Sequence, residues 1–178
     1  MKGIILHGGH GTRLRPLTHT GPKQLLPIAN KPMSEYCIES IKETGITEIA
    51  IIIGGLGSKK VKEYYGTGEK FGIKITYVEQ DEPKGIAHAI NQCKDFVNDE
   101  KFLVFLGDNI IQRSIADYVE NFDNEQLDLS VWSYDEGCNN NGGGCNGNNE
   151  YQNYTENDSD NLFIKDGLLK IQPIYEIN

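Results

Sequence analysis

The sequence predicts an α/β fold, a three-layer sandwich in which helices cover both faces of a mostly parallel sheet. Two observations predict it. Short runs rich in β-branched or other apolar residues, such as Ile46–Ile53 and Phe102–Leu106, are typical of strands that are buried on both faces. Helical patterns lie between these runs, and strands that alternate with helices imply right-handed crossovers. The arrangement expected from this alternation is Rossmann-like.

Each element can be placed along the chain from its pattern. Gly45 is the expected stop of the first helix, and Ser58 and Ser114 are expected to cap later helices. Cys37 and Cys93 fall within apolar helical patterns and are expected to be buried free thiols. The predicted strands are 3–7, 46–53, 74–79, 102–106 and 127–133, and the predicted helices are 34–44, 58–65, 85–97 and 114–122.

The pattern changes after residue 135. Of the 25 residues in 137–161, nine are Asn and five are Gly, a composition that predicts a flexible segment. Two apolar runs around Asp166 and Gly167 predict a β-hairpin. Cys138 and Cys145 lack the close spacing and the further ligands that a zinc site needs. We therefore expect a nucleotide-binding core at 1–135, a flexible Gly/Asn-rich linker at 136–161 and a C-terminal β-hairpin at 162–178.

Charge and hydropathy exclude several classes of protein. The 178 residues carry a net charge of −9, which argues against a nucleic-acid partner. The first 34 residues nevertheless hold five basic side chains and no acidic ones, which indicates a small anionic ligand. The chain has no apolar run of about 18 residues that could span a membrane. Because the N-terminus turns polar too early for a signal peptide, a cytoplasmic protein is expected.

The strongest motif is the glycine-rich segment Gly8–Thr18, together with Pro-Lys-Gln-Leu-Leu-Pro at 22–27. Three glycines directly after a strand let backbone amides approach a phosphate. It is not a Walker loop, and Pro16 interrupts the helix that a dinucleotide fingerprint requires. Arg13 and Lys23 place two cations beside these amides, as the charge on a leaving pyrophosphate requires.

Two further loops follow predicted strands. Gln80 ends the third strand, and its amide offers a donor and an acceptor to the edge of a nucleobase. Gly85 opens the next helix, and His88 on that helix is expected to be a packing or surface histidine rather than a ligand contact. Asp108 follows the strand 102–106, where it could hold Mg²⁺ against phosphate oxygens. The loops after residues 6, 80 and 106 are expected to converge at the carboxyl edge of the sheet.

In this order and spacing, the three motifs resemble the sugar-1-phosphate nucleotidyltransferases, above all the glucose-1-phosphate thymidylyltransferases. The segment Gly8–Met33 carries the likeness, which extends over about residues 1–135. The resemblance implies Mg²⁺-dependent nucleotidyl transfer from dTTP to glucose 1-phosphate, with release of pyrophosphate and no covalent enzyme intermediate. It also implies the dimers or tetramers that are common in this family.

The resemblance implies roles for individual residues. Arg13 would neutralise the leaving pyrophosphate and Lys23 would bridge the reacting phosphates, which makes these two the candidate catalytic residues. Asp108 would bind Mg²⁺, and Asn109 would lie near the sugar. The further nucleotide-binding positions are Gly8, Gly9, Gly11, Thr12, Gln24, Gln80 and Gly85.

Departures from the family pattern keep alternatives open. The family usually has a small residue at the position of His7, where the nucleotide approaches, and no imidazole at that of His10. Its chains continue well beyond 178 residues, and its Glu-Lys-Pro sugar-phosphate motif and second metal-binding Asp have no counterpart here. One alternative is a nucleotide-binding module with little or no turnover. Another is the same chemistry with UTP or another hexose 1-phosphate.

Overall fold

The computed structural model describes residues 1–8, 11, 14–19, 21–81, 84–124, 129–135, 148–154, 162–165 and 168–171. The strands are β1 (Lys2–Leu6), β2 (Pro27–Ile28), β3 (Lys31–Pro32), β4 (Glu48–Ile53), β5 (Lys74–Glu79), β6 (Phe102–Leu106), β7 (Leu129–Asp135), β8 (Asn148–Tyr154), β9 (Leu162–Lys165) and β10 (Leu168–Ile171). The helices are α1 (Met33–Glu43), α2 (Ser58–Tyr65), α3 (Ile86–Asn91), α4 (Lys94–Val97) and α5 (Ala116–Asn124).

Four of the strands form a parallel sheet in the order β5-β4-β1-β6. The chain runs outward from β1 through β4 to β5, and then returns to pair β6 with the other side of β1. This reversal creates a topological switch point between β1 and β6, next to which ligands bind in open α/β sheets. The predicted α/β class and the mostly parallel sheet are confirmed.

Alternate residues of the buried strands pack against helices on opposite faces of the sheet. Ile5, Ile49 and Ile51 lie in one core cluster, which includes Cys37 of α1 and Tyr65 of α2. The second cluster joins the alternate strand residues to α3 and α4; its buried members are Ile4, Leu6, Ala50, Ile52, Ala89, Ile90, Cys93 and Val97. Helices therefore cover both faces, and Cys37 and Cys93 are buried free thiols as predicted.

Two predicted helices differ in detail from the structure. The predicted helix at 85–97 is divided into α3 and α4, because the backbone N–H of Cys93 bonds to the carbonyl of Ile90, three residues back, and tightens the turn. Ser58 was expected to cap α2, but it is the first helical residue, and its hydroxyl donates to the carbonyl of Gly55 at 3.0 Å. Ser114 lies one position before the N-cap of α5, and its hydroxyl accepts from the backbone N–H of Ala116, the first helical residue, at 3.2 Å.

The region after residue 135 contains more regular structure than its composition predicts. Within the Gly/Asn-rich segment, β8 pairs antiparallel with β7, with Tyr151 opposite Trp132 in the register. A ladder needs only backbone groups, so a polar strand can form one. The strands of the C-terminal hairpin are present as β9 and β10, while its predicted turn, like Cys138 and Cys145, lies outside the described residues. Within the described residues, the helices are too short or too polar to cross a membrane.

Candidate functional site

The loops after β1, β5 and β6 meet at the carboxyl edge of the sheet, as predicted. The backbone N–H of Gly107 donates to the carbonyl of Leu6 at 3.0 Å, and that of Gln80 donates to the carbonyl of Ile53 at 2.8 Å. A Cβ atom on Gly107 would lie 2.7 Å from Cδ2 of His7 and 2.8 Å from the carbonyl oxygen of Leu6. Only glycine therefore allows the ends of β1 and β6 to approach this closely.

Lys23 and Asp108, which are 85 residues apart in the chain, form an ion pair at the switch point between Nζ and Oδ2. The lysine side chain is 24% exposed and the aspartate side chain 37% exposed, so an anionic ligand could reach the lysine and a cation the aspartate. The structure thus brings together a predicted catalytic cation and the predicted metal ligand. Gly9, Thr12 and Arg13 lie outside the described residues.

Gln24 supports the glycine-rich loop from beneath. Its side chain is 1% exposed, and Nε2 donates to the carbonyl of Gly8 at 3.0 Å. The backbone carbonyl of Gln24 accepts from the Ser34 hydroxyl at 3.1 Å, and that hydroxyl lies 2.6 Å from the hydroxyl of Tyr65. These contacts attach the turn that contains Lys23 to helices α1 and α2. The side chain of Gln24, which is predicted to lie beside the nucleotide, is therefore buried against the backbone of the loop and is not exposed at the surface of the site.

Gly11 shapes the same loop through its backbone. Its φ of +59° lies in the left-handed region, and a Cβ atom would lie 2.9 Å from Cγ2 of Thr18. The Thr18 hydroxyl donates to the carbonyl of Gly11 at 2.7 Å. A residue with a side chain would therefore strain the loop and displace Thr18.

His7 lies in the core rather than on the surface that a nucleotide would approach. It is 4% exposed, and its ring packs edge-on against Tyr65, with the ring centroids 6.1 Å apart. Burial lowers the pKa of His7 from 6.5 to about 3, although the Asp108 carboxylate acts in the opposite direction. Neither ring nitrogen has a hydrogen-bond partner among the described residues. The imidazole is thus neutral and faces the protein interior.

Gln80 and Gly85 border the site on the other side of β1. The side-chain Oε1 of Gln80 lies 3.6 Å from the position that a Cβ atom on Gly8 would take, so it faces the glycine-rich loop. Gly85 is exposed with a φ of +96° and directly precedes α3. His88 lies on α3 with Nδ1 3.4 Å from Nε2 of Gln80. No pattern in the sequence indicates this contact, because a lone histidine on an amphipathic helix is most often structural.

The turn after β6 holds Asp108 and Asn109 at the surface. The backbone N–H of Asn109 donates to the carbonyl of Leu106 at 3.0 Å, and the Cys37 thiol donates to the carbonyl of Asn109 at 3.2 Å. Burial raises the pKa of Cys37 to about 12, so the thiol keeps the proton that it donates. The turn is therefore fixed from below, while both polar side chains remain exposed.

Within the part of the chain that the structure describes, no group of three or more His, Cys, Asp or Glu side chains could hold a metal ion. Asp108 is therefore a single candidate ligand and not part of such a group. Mg²⁺ is commonly bound by one or two carboxylates and by substrate phosphates, with water completing the shell. A single exposed carboxylate beside a glycine-rich loop fits a cation that arrives with a triphosphate. Lys23 would then exchange its carboxylate partner for phosphate oxygens.

A glycine-rich loop, a lysine and an aspartate at the switch point of a parallel sheet are typical of α/β proteins that bind phosphorylated ligands. A family model described as nucleotidyl transferase matches residues 2–140. The chain belongs to the nucleotidyl transferase family.

Similar proteins differ in the nucleotide that their names specify. The chain is 52% identical over 131 residues to the low-salt glycan biosynthesis nucleotidyltransferase Agl11 of Haloferax volcanii, covering 74% of this chain and 37% of that protein. It is 46% identical over 122 residues to a glucose-1-phosphate thymidylyltransferase of Streptomyces antibioticus, covering 68% and 34% of the two chains. It is 34% identical over 130 residues to the UTP–glucose-1-phosphate uridylyltransferase AglF of Haloferax volcanii, covering 73% and 52%.

A solved structure shows the same fold. A candidate glucose-1-phosphate thymidylyltransferase of Bacillus anthracis, crystallised with sucrose, superposes with a TM-score of 0.72 at 41% identity. The superposition covers 76% of this chain and 56% of that one. The present chain thus spans little more than a third of the length of Agl11 and of the Streptomyces enzyme, and about half that of AglF.

Proposed function

We propose that this chain carries out nucleotidyl transfer from a nucleoside triphosphate to a hexose 1-phosphate, with dTTP and glucose 1-phosphate as the leading pair. The pairing of Lys23 with Asp108 beside the glycine-rich loop is the observation that carries the proposal. It joins a cation for phosphates to a carboxylate for a metal at the switch point of the sheet. Relatives named for sugar-1-phosphate chemistry support the same reaction class.

In the proposed reaction, an oxygen of the sugar phosphate attacks the α-phosphorus in line, and the bond to the pyrophosphate oxygen breaks. The protein's contribution is positioning and neutralisation of charge. The loop that begins at Gly8 offers backbone amides, and Lys23 releases Asp108 to contact the reacting phosphates. Arg13 would neutralise the leaving pyrophosphate. Mg²⁺, held by Asp108 and phosphate oxygens, would supply additional positive charge to the triphosphate.

The choice of dTTP over UTP is supported more weakly than the reaction class. Gln80 and Gly85 could read a pyrimidine edge that thymine and uracil share, since these bases differ only in a methyl group. The relatives include one named for thymidylyl transfer and one named for UTP. Thymidylyl transfer is the leading assignment because the identity to the Streptomyces protein is higher, 46% against 34%.

The proposed reaction predicts that pyrophosphate release from dTTP depends on glucose 1-phosphate and on Lys23. Lys23→Ala should lower kcat/KM about a hundredfold or more, as expected when a cation that stabilises developing charge is removed. Coupled detection of pyrophosphate measures this, with UTP, dCTP and mannose 1-phosphate in parallel. Lys59→Ala is the control, because the Lys59 side chain is 89% exposed on α2 and should leave the rate unchanged. Equal rates in all three proteins would contradict the assignment.

A nucleotide-binding module without turnover is the second candidate. The observation that favours it is that the described part of the site pairs Lys23 with one carboxylate, Asp108, and contains no larger group of metal-ligating side chains. Titration calorimetry with dTTP and Mg²⁺ separates the candidates. Binding without pyrophosphate release supports the module, whereas release that depends on glucose 1-phosphate supports the enzyme. If no nucleoside triphosphate binds, both candidates are wrong.

A further inference from the structure

The structure places His88 where it can control how Gln80 meets a nucleobase. A glutamine amide has a donating end and an accepting end, and turning it by 180° exchanges what it offers to a ligand. Gln80 Nε2 lies 3.4 Å from Nδ1 of His88, and Gln80 Oε1 faces the position of a Cβ atom on Gly8. The donating end is therefore directed toward α3, and the accepting end is directed toward the site.

This contact sets a requirement on the imidazole. Gln80 Nε2 can only donate, so the contact is a hydrogen bond when Nδ1 of His88 carries no proton. The other ring nitrogen, Nε2, lies 3.3 Å from the side-chain nitrogen of Gln92, one turn further along the chain. An imidazole with its proton on Nε2 accepts from Gln80 and donates to Gln92, provided that the Gln92 amide is turned by 180° from its present orientation.

Gln80 itself has little freedom apart from this amide. Its backbone N–H donates to the carbonyl of Ile53, and its backbone carbonyl oxygen lies 3.1 Å from where a Cβ atom on Gly54 would be. Its side chain is half-buried at the edge of β5. The orientation of the side-chain amide therefore depends on its hydrogen-bond partners, and the ring nitrogen Nδ1 of His88 is one of them.

We propose that His88 is a positioning residue that makes Gln80 present its carbonyl oxygen to the nucleobase. This proposal rests on the function proposed above, and it specifies the class of base. Thymine and uracil place a ring N–H at N3, which an acceptor binds, whereas cytosine places a lone pair at N3, which an acceptor repels. His88 thus contributes to selection for thymine or uracil over cytosine without touching the base.

The first experiment examines the ligand-free protein and does not depend on the function. Nitrogen-15 NMR of the full chain should show Nδ1 of His88 unprotonated and Nε2 protonated, which is the tautomer that the contact with Gln80 requires. His88→Phe should shift the side-chain amide resonances of Gln80. A proton on Nδ1, or unchanged Gln80 resonances in this variant, would overturn the proposed contact.

The second experiment measures base selection by titration calorimetry with dTTP and dCTP in Mg²⁺. The wild-type chain should bind dTTP more tightly, and His88→Phe should reduce that preference about tenfold, the value of one hydrogen bond of ordinary strength. His88→Asn is the conservative variant, because its Oδ1 can accept from Gln80 in place of Nδ1, and it should retain the preference. Circular dichroism confirms that each variant is folded.

The outcomes separate the two proposals. If the wild-type chain binds neither nucleotide, the proposed function is wrong, whatever the NMR spectra show. If it binds dTTP selectively but His88→Phe leaves the preference unchanged, or weakens both nucleotides equally, only the role of His88 is overturned. A preference that is lost equally in the Phe and Asn variants also overturns it, because an acceptor at this position would then make no difference.

Discussion

At the scale of single residues, His7 links the stability of the fold to pH. Its buried imidazole has a pKa of about 3 in the folded chain, against 6.5 for an exposed histidine. Between these values the unfolded chain binds a proton that the folded chain does not. Stability from this group is therefore fully present above pH 6.5, and it is lost as pH falls toward 3, by about 1.4 kcal/mol for each pH unit.

His7→Phe should remove this dependence while keeping an aromatic ring against Tyr65. The expected result is that the variant gains stability relative to the wild type as pH falls from 7 to 5, measured by urea unfolding in metal-free buffer. His19→Phe, at an exposed position, is the matched control and should follow the wild type. If the difference in free energy of unfolding between His7→Phe and the wild type stays constant over this pH range, the pH dependence does not come from His7.

The residues of the site differ in how far the sequence could predict them. Lys23 and Asp108 were predictable because each belongs to a loop at the carboxyl edge of a parallel sheet. The burial of His7 was not, because a histidine at the end of a strand can face either the solvent or the core. The contact of His88 with Gln80 depends on the angle of α3 to β5, which no local pattern specifies.

At the scale of elements, the connection between α2 and β5 depends on two glycines with left-handed backbones, Gly68 at φ +90° and Gly72 at φ +69°. Their surroundings differ. A Cβ atom on Gly68 would lie 2.7 Å from the carbonyl oxygen of Ile73 and 2.8 Å from Cγ1 of Ile75. One on Gly72 would meet only the flexible end of Lys42, at 3.3 Å. The pair therefore separates backbone strain from steric overlap.

Gly72→Ala should lower the free energy of unfolding by about 1–2 kcal/mol, the cost of a left-handed residue with a side chain. Gly68→Ala should lower it further, by about 1–3 kcal/mol, because the added methyl group must displace packed atoms of β5. Urea unfolding followed by circular dichroism measures both. Equal losses in the two variants would show that steric overlap at Gly68 is relieved without cost.

Elements were predictable where burial and period agree. The β-branched run of β4 is buried in the sheet as expected. The apolar run of β6 forms a strand at the expected place, but this strand lies at the edge of the sheet, and Phe105 is its one buried residue. The division of the helix at 85–97 was not predictable, since the apolar period continues through Cys93 into α4. The pairing of β8 with β7 was missed because composition reports the cost of ordering a segment but not the backbone partner that it meets.

At the scale of the whole molecule, the net charge does not indicate where an anionic ligand would bind. The chain carries −9 overall, yet the first 34 residues carry +5 and supply Lys23. The sheet order places Lys23 of this basic segment beside Asp108, where the two opposite charges pair. Net charge is thus a guide to solubility and to long-range partners, and the order of the strands is the better guide to the ligand.

A ligand at the switch point should stabilise the entire domain, because the loops that meet there follow β1, β5 and β6. Ligand that binds only the folded chain stabilises it by about 2.7 kcal/mol at a concentration of one hundred times Kd. In a chain of this size, that corresponds to a rise in Tm of roughly 5–10 °C. Scanning calorimetry with dTTP and Mg²⁺ should show this rise in the wild type and in Lys59→Ala. It should be much smaller in Lys23→Ala, because the triphosphate then lacks its cation. Magnesium sulfate at the same ionic strength is the control, and an equal rise with sulfate would mean that general screening of charge, rather than a nucleotide site, stabilises the fold.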